Sequence, residues 1–255
     1  MTTTLPVRCD ESRCAVVDWS TIDPVGSADG YARVVGGCLC AAGLLEAHRH
    51  GFLAFPAPDQ AAIETNRVLY GPQVAAGRTL RLDRGRVEPY SLTWFNPARR
   101  PRLRAGDLRL PLSLGRQLRN RLSWTTTVDQ RFAEVVQQCS VGRPRSWLTP
   151  QLALCLVQLH EQGWAHSVEV WDDEGDLVAG VVGVGVGRTF SCDTMFHRAS
   201  GAGRCAVTAL AHRLPADVWL DLQWPSDFAS SLGAVPTSRT DHLATMRDDG
   251  PLVPR

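Results

Sequence analysis

The strongest periodic pattern lies in the second half of the chain. Leu114, Leu118 and Leu122 recur at spacing four behind Ser113, a residue suited to cap a helix, with Arg116 and Arg119 on other faces. Val128, Phe132, Val135, Val136 and Cys139 form a second helical stripe, and Thr149-Pro150 opens a third helix that stops at Gly163. The period then switches to two. His166 to Trp171 alternates, Asp172 to Asp176 supplies a turn with Gly175, and Leu177 to Val186 returns as an apolar strand, a β-hairpin pattern. A strand over Arg188 to Phe196, a helix over Ala202 to His212, a strand over Val218 to Trp224 and a short helix over Asp227 to Leu232 complete the order. It predicts an α+β fold with a mixed sheet. Upstream the periodicity is weak, so 1–48 reads as an N-terminal extension, 49–110 as a small loop-rich domain and 111–255 as the main domain.

Composition narrows the class. The chain has 255 residues, 44% hydrophobic and 21% charged, as expected of a globular protein. Met1 to Trp19 lacks the basic-then-apolar order of a secretory signal, and the run Leu177 to Val186 is too short to span a bilayer. A cytoplasmic protein without a membrane partner is expected, and its cysteines read as buried small hydrophobes or a metal site rather than disulfides. Cys9, Cys14, Cys38 and Cys40, followed by His48 and His50, match no familiar zinc spacing, and no metal is assigned to them.

Charge adds a local feature that the net value of +1 conceals: every one of the 27 cationic residues is arginine. Arg99, Arg100, Arg102, Arg104, Arg109, Arg116, Arg119 and Arg121 share a stretch in which Asp107 is the only acid. Such a footprint suits a polyphosphate backbone, and a plain solvated face is its alternative.

Candidate chemistry sits near strand ends. In Trp219-Leu220-Asp221-Leu222-Gln223-Trp224 a period of two places Asp221 and Gln223 on one face, either wetted or lining a site. Asp193 is a second acid near a strand end. Gly180, Gly183, Gly185 and Gly187 lack a dinucleotide fingerprint's context and fit close backbone approach or a bulge. Arg198 to Gly203 fits the R-x-x-G-x-G pattern with which acetyltransferases hold the coenzyme A pyrophosphate. Cys192, Cys205, His160 and His166 read as packing or structural residues.

Several blocks in order resemble the leucyl/phenylalanyl-tRNA protein transferase family. They are Ser146-Trp147-Leu148-Thr149, the long run Leu159-His160-Glu161-Gln162-Gly163-Trp164-Ala165-His166-Ser167-Val168-Glu169-Val170-Trp171, Asp193-Thr194-Met195-Phe196, Asp221-Leu222-Gln223 and Ser231-Leu232-Gly233-Ala234. The likeness runs across roughly 90–245, with Trp94-Phe95-Asn96-Pro97 and Phe55-Pro56 as fainter landmarks. It implies a GCN5-acetyltransferase-type catalytic domain that binds the aminoacyl end of tRNA in place of acyl-coenzyme A, uses no cofactor, and transfers a hydrophobic amino acid to a protein's N-terminal amine.

Carried over by residue, the resemblance assigns Asp221 and Gln223 to the reaction centre, with Asp193 where the family has Glu. It sets Trp147 near the terminal adenosine and Val182, Leu156 and Trp94 about the substrate. The arginine stretch, with Arg204 in place of the family's Lys, corresponds to the basic region that receives tRNA. Departures from the pattern, Asp193, Val182, Leu156, Gly203-Arg204 and Phe228 among them, make a different donor or acceptor, such as a peptide or a small molecule of specialised biosynthesis, an open alternative. An acyl-coenzyme A N-acetyltransferase and a non-catalytic tRNA-binding protein are the other two readings.

Overall fold

The computed structural model describes residues 17–22, 31–83, 88–109, 112, 114–116, 122–141, 147–246 and 250–255. The chain divides into two compact units, Met1–Ala98 with Gly142–Leu159, and Arg99–Val141 with His160–Arg255. Among the described residues no helix is long and apolar enough to cross a membrane.

The first unit holds β1 (Val34–Gly36), β2 (Leu53–Pro56), β3 (Leu80–Leu82) and β4 (Leu92–Phe95) in the order β2-β4-β1-β3. Helix Ala41–Arg49 starts at Cys40, whose sulfur accepts the Gly43 N–H at 3.3 Å, and helix Gln60–Ala75 starts at Asp59, which accepts from the Ala62 N–H at 2.8 Å. Trp19 packs between Phe52 and Trp94, with ring centroids 4.8 and 4.7 Å away. This unit differs from the sequence expectation in two respects. Residues 34–48 belong to its sheet and first helix rather than to an extension, and 49–110 is not loop-rich. The long helix buries only Tyr70 and so shows no marked stripe, while the first buries Ala41, Leu44, Leu45 and His48 at helical spacing, a stripe blurred by its small and polar members.

The second unit is a seven-stranded sheet ordered β11-β5-β10-β9-β8-β7-β6, comprising β5 (Arg99–Arg104), β6 (Thr125–Val128), β7 (Ala165–Trp171), β8 (Leu177–Val186), β9 (Thr189–His197), β10 (Trp219–Asp221) and β11 (Val235–Ser238). β6 to β9 form an antiparallel meander, and β10 lies parallel to β9 after the crossover helix Ala202–His212. The segment opening this sheet is Arg99–Arg104, a strand inserted between β10 and β11, so the sheet begins earlier in the chain than residue 111.

Both faces of the sheet are covered. Val168, Val170, Ala179 and Val181 form one core with the buried side of helix Ala202–His212. On the other face helix Phe132–Ser140 brings Val135 so close that a Cβ at Gly180 would lie 2.5 Å from it. All ten residues of β8 are therefore buried, and the polar members of the β7 alternation, Ser167 and Glu169, are buried too. Each Val or Leu enclosed this way contributes about 1.5–3 kcal/mol.

The glycines of β8 permit close backbone approach, as their spacing predicts. A Cβ at Gly183 would meet the Ser191 carbonyl oxygen at 1.9 Å, and one at Gly185 would meet that of Leu252 at 2.2 Å. Opposite Gly183 the ladder slips: Val182 pairs with Thr194 and Gly183 with Cys192, leaving Asp193 as the extra residue of a β-bulge.

Candidate active site

The bulge aims Asp193 across the sheet. β10 runs beside β9 with Asp221 opposite Ser191, and the chain then leaves the strand. Gln223 follows in a left-handed conformation, φ 63°, unusual for a residue with a side chain. The predicted strand to Trp224 is thus too long, and the period-two reason for pairing Asp221 with Gln223 does not hold. The two meet through a turn instead. The Gln223 N–H donates to Asp221 Oδ1 at 2.9 Å, while its Nε2 donates to Asp193 Oδ1 at 2.6 Å and to Ser191 Oγ at 3.1 Å. Ser191 Oγ donates to the same Asp193 oxygen at 2.7 Å. Asp221, Gln223, Ser191 and Asp193 form one buried hydrogen-bonded chain.

Beneath it lie cations that were expected at the surface. Arg100, Arg102 and Arg104 alternate along one face of β5, the face shared with Trp219 and Asp221 of β10. Arg100 is 1% exposed and donates to Asp221 Oδ2 at 2.6 Å, the aspartate being fully buried. Arg102 is fully buried, donates to Thr245 Oγ1 at 2.8 Å and lies 4.6 Å from the Trp219 ring. A backbone phosphate cannot reach either side chain, which removes Arg100 and Arg102 from the tRNA-facing group; sheet formation over more than a hundred residues of separation encloses them. Arg99, Arg104 and Arg116 are exposed. Arg204 donates to Ser231 O and Oγ, both at 2.7 Å, and Arg119 and Arg121 lie outside the described residues.

Electrostatics follow from this enclosure. Burial pushes the Asp221 carboxyl up, but Arg100, then His242, then the Gln223 N–H outweigh it and hold the group below its ordinary value. Burial draws Arg102 down to about 10, against the pull of Asp221, so it stays charged at neutral pH. His242, from helix Arg239–Ala244, sets Nε2 4.0 Å from Asp221 Oδ2 and is also buried. The sequence pointed to neither His242 nor Ser191. Arg100 carried a signal that went unread: Arg-Arg-Pro-Arg-Leu-Arg is a period-two strand with one cationic face.

The remaining expected residues divide between the units. Val182, on β8, is fully enclosed. In the first unit Leu156 and Trp94 are each 1% exposed, and Trp94 Nε1 donates to the Gly36 carbonyl at 2.9 Å, so these three sit in packed cores rather than on a docking surface. Trp147 is half-buried, its ring 5.4 Å from that of Phe55. The Arg198–Gly203 loop enters helix Ala202–His212 through Gly201 at φ 85°, but Leu114 lies against that glycine and the Arg198 guanidinium binds Gln138 at 2.7 Å.

A second polar cluster belongs to the long central block. Asp129, His160 and His166 bring ligand-type atoms within 4.8 Å of one another, a grouping that could hold a metal ion. In this arrangement those atoms are engaged with protein. His166 Nδ1 is 2.7 Å from Asp129 Oδ2 and its Nε2 3.2 Å from Gly163 O, while His160 Nδ1 is 2.9 Å from Ala165 O. Ser167 N–H donates to Asp129 Oδ1 at 2.7 Å, and buried Glu169 accepts from Thr127 and Ser167 hydroxyls at 2.6 and 2.5 Å.

Comparison with known proteins places the chain. The family model described as leucyl/phenylalanyl-tRNA protein transferase matches residues 103–247. A leucyl/phenylalanyl-tRNA–protein transferase of Pseudomonas fluorescens is 35% identical over 207 residues, covering 77% of this chain and 91% of that protein. One of a Shewanella species is 30% identical, covering 76% and 86%. Among solved structures, a conserved protein of unknown function from Bacteroides thetaiotaomicron superposes with a TM-score of 0.43 at 13% identity, covering 61% of this chain and 57% of that one. On the family match and the extent of these relatives, the chain belongs to the leucyl/phenylalanyl-tRNA protein transferase family.

Proposed function

We propose that this protein transfers the aminoacyl group of a charged tRNA to an amine, forming an amide bond, on a domain of the GCN5-acetyltransferase type. The supporting observation is the buried Asp221–Gln223–Ser191–Asp193 chain in a member of this family. The amine nitrogen bonds to the ester carbonyl carbon, the ester C–O bond breaks, and the terminal ribose hydroxyl leaves with the proton that the amine gives up. The ester is already activated, so alignment of the amine and stabilisation of developing charge are the main tasks. Asp221, held ionised, orients Gln223 by accepting its N–H. The Gln223 amide and the Asp193 carboxylate then meet the incoming amine, where a carboxylate favours the positive charge that builds on nitrogen. Exposed Arg99, Arg104 and Arg116 receive tRNA phosphates, and Trp147 offers a half-buried ring to the terminal adenosine.

The donor is a hydrophobic aminoacyl-tRNA, and the acceptor is the N-terminal amine of a protein, as in an N-degron route. Asp193, Val182 and Phe228 depart from the family pattern and make a peptide or small-molecule amine of specialised biosynthesis the second candidate. Incubating the protein with radiolabelled leucyl- and phenylalanyl-tRNA, and with protein, peptide and free amine acceptors in separate reactions, tests both. Label in an acid-stable product from at least one acceptor is expected. Hydrolysis without transfer in every reaction overturns the proposal.

A further inference from the structure

We propose that Arg100 and His242 are positioning residues for the transfer, fixing the Asp221 carboxylate in place beneath Gln223. The inference rests on the assignment of Asp221 and Gln223 to the reaction centre. Arg100 comes from β5, Asp221 from the end of β10 and His242 from helix Arg239–Ala244, so three separate elements converge on one side chain. The Arg100 guanidinium takes Asp221 Oδ2 at 2.6 Å, His242 Nε2 stands 4.0 Å from that oxygen, and Oδ1 is left to receive the Gln223 N–H at 2.9 Å. Each oxygen therefore has a separate duty, one toward Arg100 and His242 and one toward the catalytic turn.

The consequence runs along the chain of bonds. A carboxylate this deeply enclosed becomes protonated unless a cation accompanies it. Protonation would weaken its hold on the Gln223 N–H, and with it the left-handed turn that points Nε2 at Asp193 and Ser191. Other charged or titratable groups around the aspartate do not replace Arg100. Arg102, on the same strand, is committed to Thr245 and Trp219; Asp241, beside His242, acts on Arg102. On β9 the Cys192 thiol is pushed up by burial and then by Asp221 and Asp193, so it stays neutral and adds no charge.

The test uses the full-length protein and its Arg100→Lys, Arg100→Met, His242→Gln and Asp221→Asn variants. Transfer from charged tRNA is followed between pH 5 and pH 8, with kcat and KM for tRNA separated and folding checked by circular dichroism. Arg100→Met should lower kcat on the order of a hundredfold with KM little changed. It should also move the acid limb of the profile toward neutral pH, because burial then governs the Asp221 carboxyl. Arg100→Lys should bring the limb most of the way back, and His242→Gln should shift it in the same direction by less. A merely structural role would lower stability or kcat without moving the limb, and that result overturns the inference. If Arg100→Met does not fold, the other two profiles decide by the same shift. An active Asp221→Asn protein would instead remove the reaction-centre assignment. An inactive one beside unmoved limbs would reject only the roles of Arg100 and His242.

Discussion

The second unit carries two polar clusters built from similar side chains on opposite halves of one sheet, one buried and one half-buried. At β6–β7, His160, His166 and Glu169 lie within the block that most strongly resembles the family, and Asp129 joins them from the end of β6. Their hydrogen bonds run mainly to carbonyls, N–H groups and hydroxyls of adjoining segments, which brace the β6–β7 pair against the turn at Gly163 and helix Phe132–Ser140. At β5–β10–β9 the bonds run from Arg100 to Asp221, through the Gln223 backbone N–H to its amide, and on to Asp193; each cluster holds one left-handed residue, Gln223 here and Asp129 at β6–β7. On the proposed assignment, the contrast teaches that the most recognisable segment of a chain can serve as its scaffold while a shorter, less conspicuous one carries the chemistry.

Mutations should separate the two clusters. Asp221→Asn keeps the shape of the side chain and removes its charge, so single-turnover transfer should fall by on the order of a hundredfold through lost positioning of Gln223. tRNA binding by the same protein should stay within about twofold of the parent; transfer at the parental rate would show that the β10 cluster is scaffold too. Asp129→Ala should do the reverse. Losing the carboxylate that binds Ser167 N–H and His166 should cost roughly 1.5–3 kcal/mol in urea unfolding, with the specific activity of the folded protein retained. A large kcat loss at full stability would erase the distinction.

Arg102 sharpens the comparison from within the active half. Its Nε and Nη1 are buried without a hydrogen-bond partner. Arg102→Met should therefore be neutral or up to about 2 kcal/mol stabilising, the opposite of Arg100→Met. The sign of the pH effect agrees. A cation held below its unfolded value burdens the fold while it is charged, so the burden is full below about 10 and is relieved above it. For the Asp221 carboxyl, held below its ordinary value, the contribution to stability is present at neutral pH and fades as pH falls below the usual aspartate range. The smallest expected effect concerns neither cluster. Arg116→Ala should reduce the slope of log affinity for tRNA against log salt by about 0.7–0.9, and an unchanged slope would take Arg116 off the tRNA surface.

Elements defined by local pattern were legible in the sequence. The crossover helix matches its expected bounds, the hairpin closes at Asp172 to Asp176, and the helix after Arg131 buries Phe132, Val135, Val136 and Cys139. Asp221, Gln223 and Asp193 were named and are brought together, though the first two meet by a turn rather than by strand period. What stayed hidden depends on distant pairing. That β5 would enter the sheet between β10 and β11 is written in no local periodicity, and this insertion turns two arginines from surface candidates into buried ones. His242 reaches Asp221 from helix Arg239–Ala244 by the same long-range route.

The backbone at Gln223 sets a conformational cost against the bonds of its side chain. For L-residues the left-handed region costs roughly 1–2 kcal/mol that glycine avoids, so in a search for higher melting temperature alone glycine would be a natural replacement at this position. With glycine there the protein would keep the backbone N–H to Asp221 but lack the amide that spans Ser191 and Asp193. Both buried groups would be left short of a shared donor, a cost of about 1–3 kcal/mol that offsets the backbone gain. The left-handed turn at Gln223 is thus tied to its side chain, since glycine would relieve the backbone and empty the polar chain in one step.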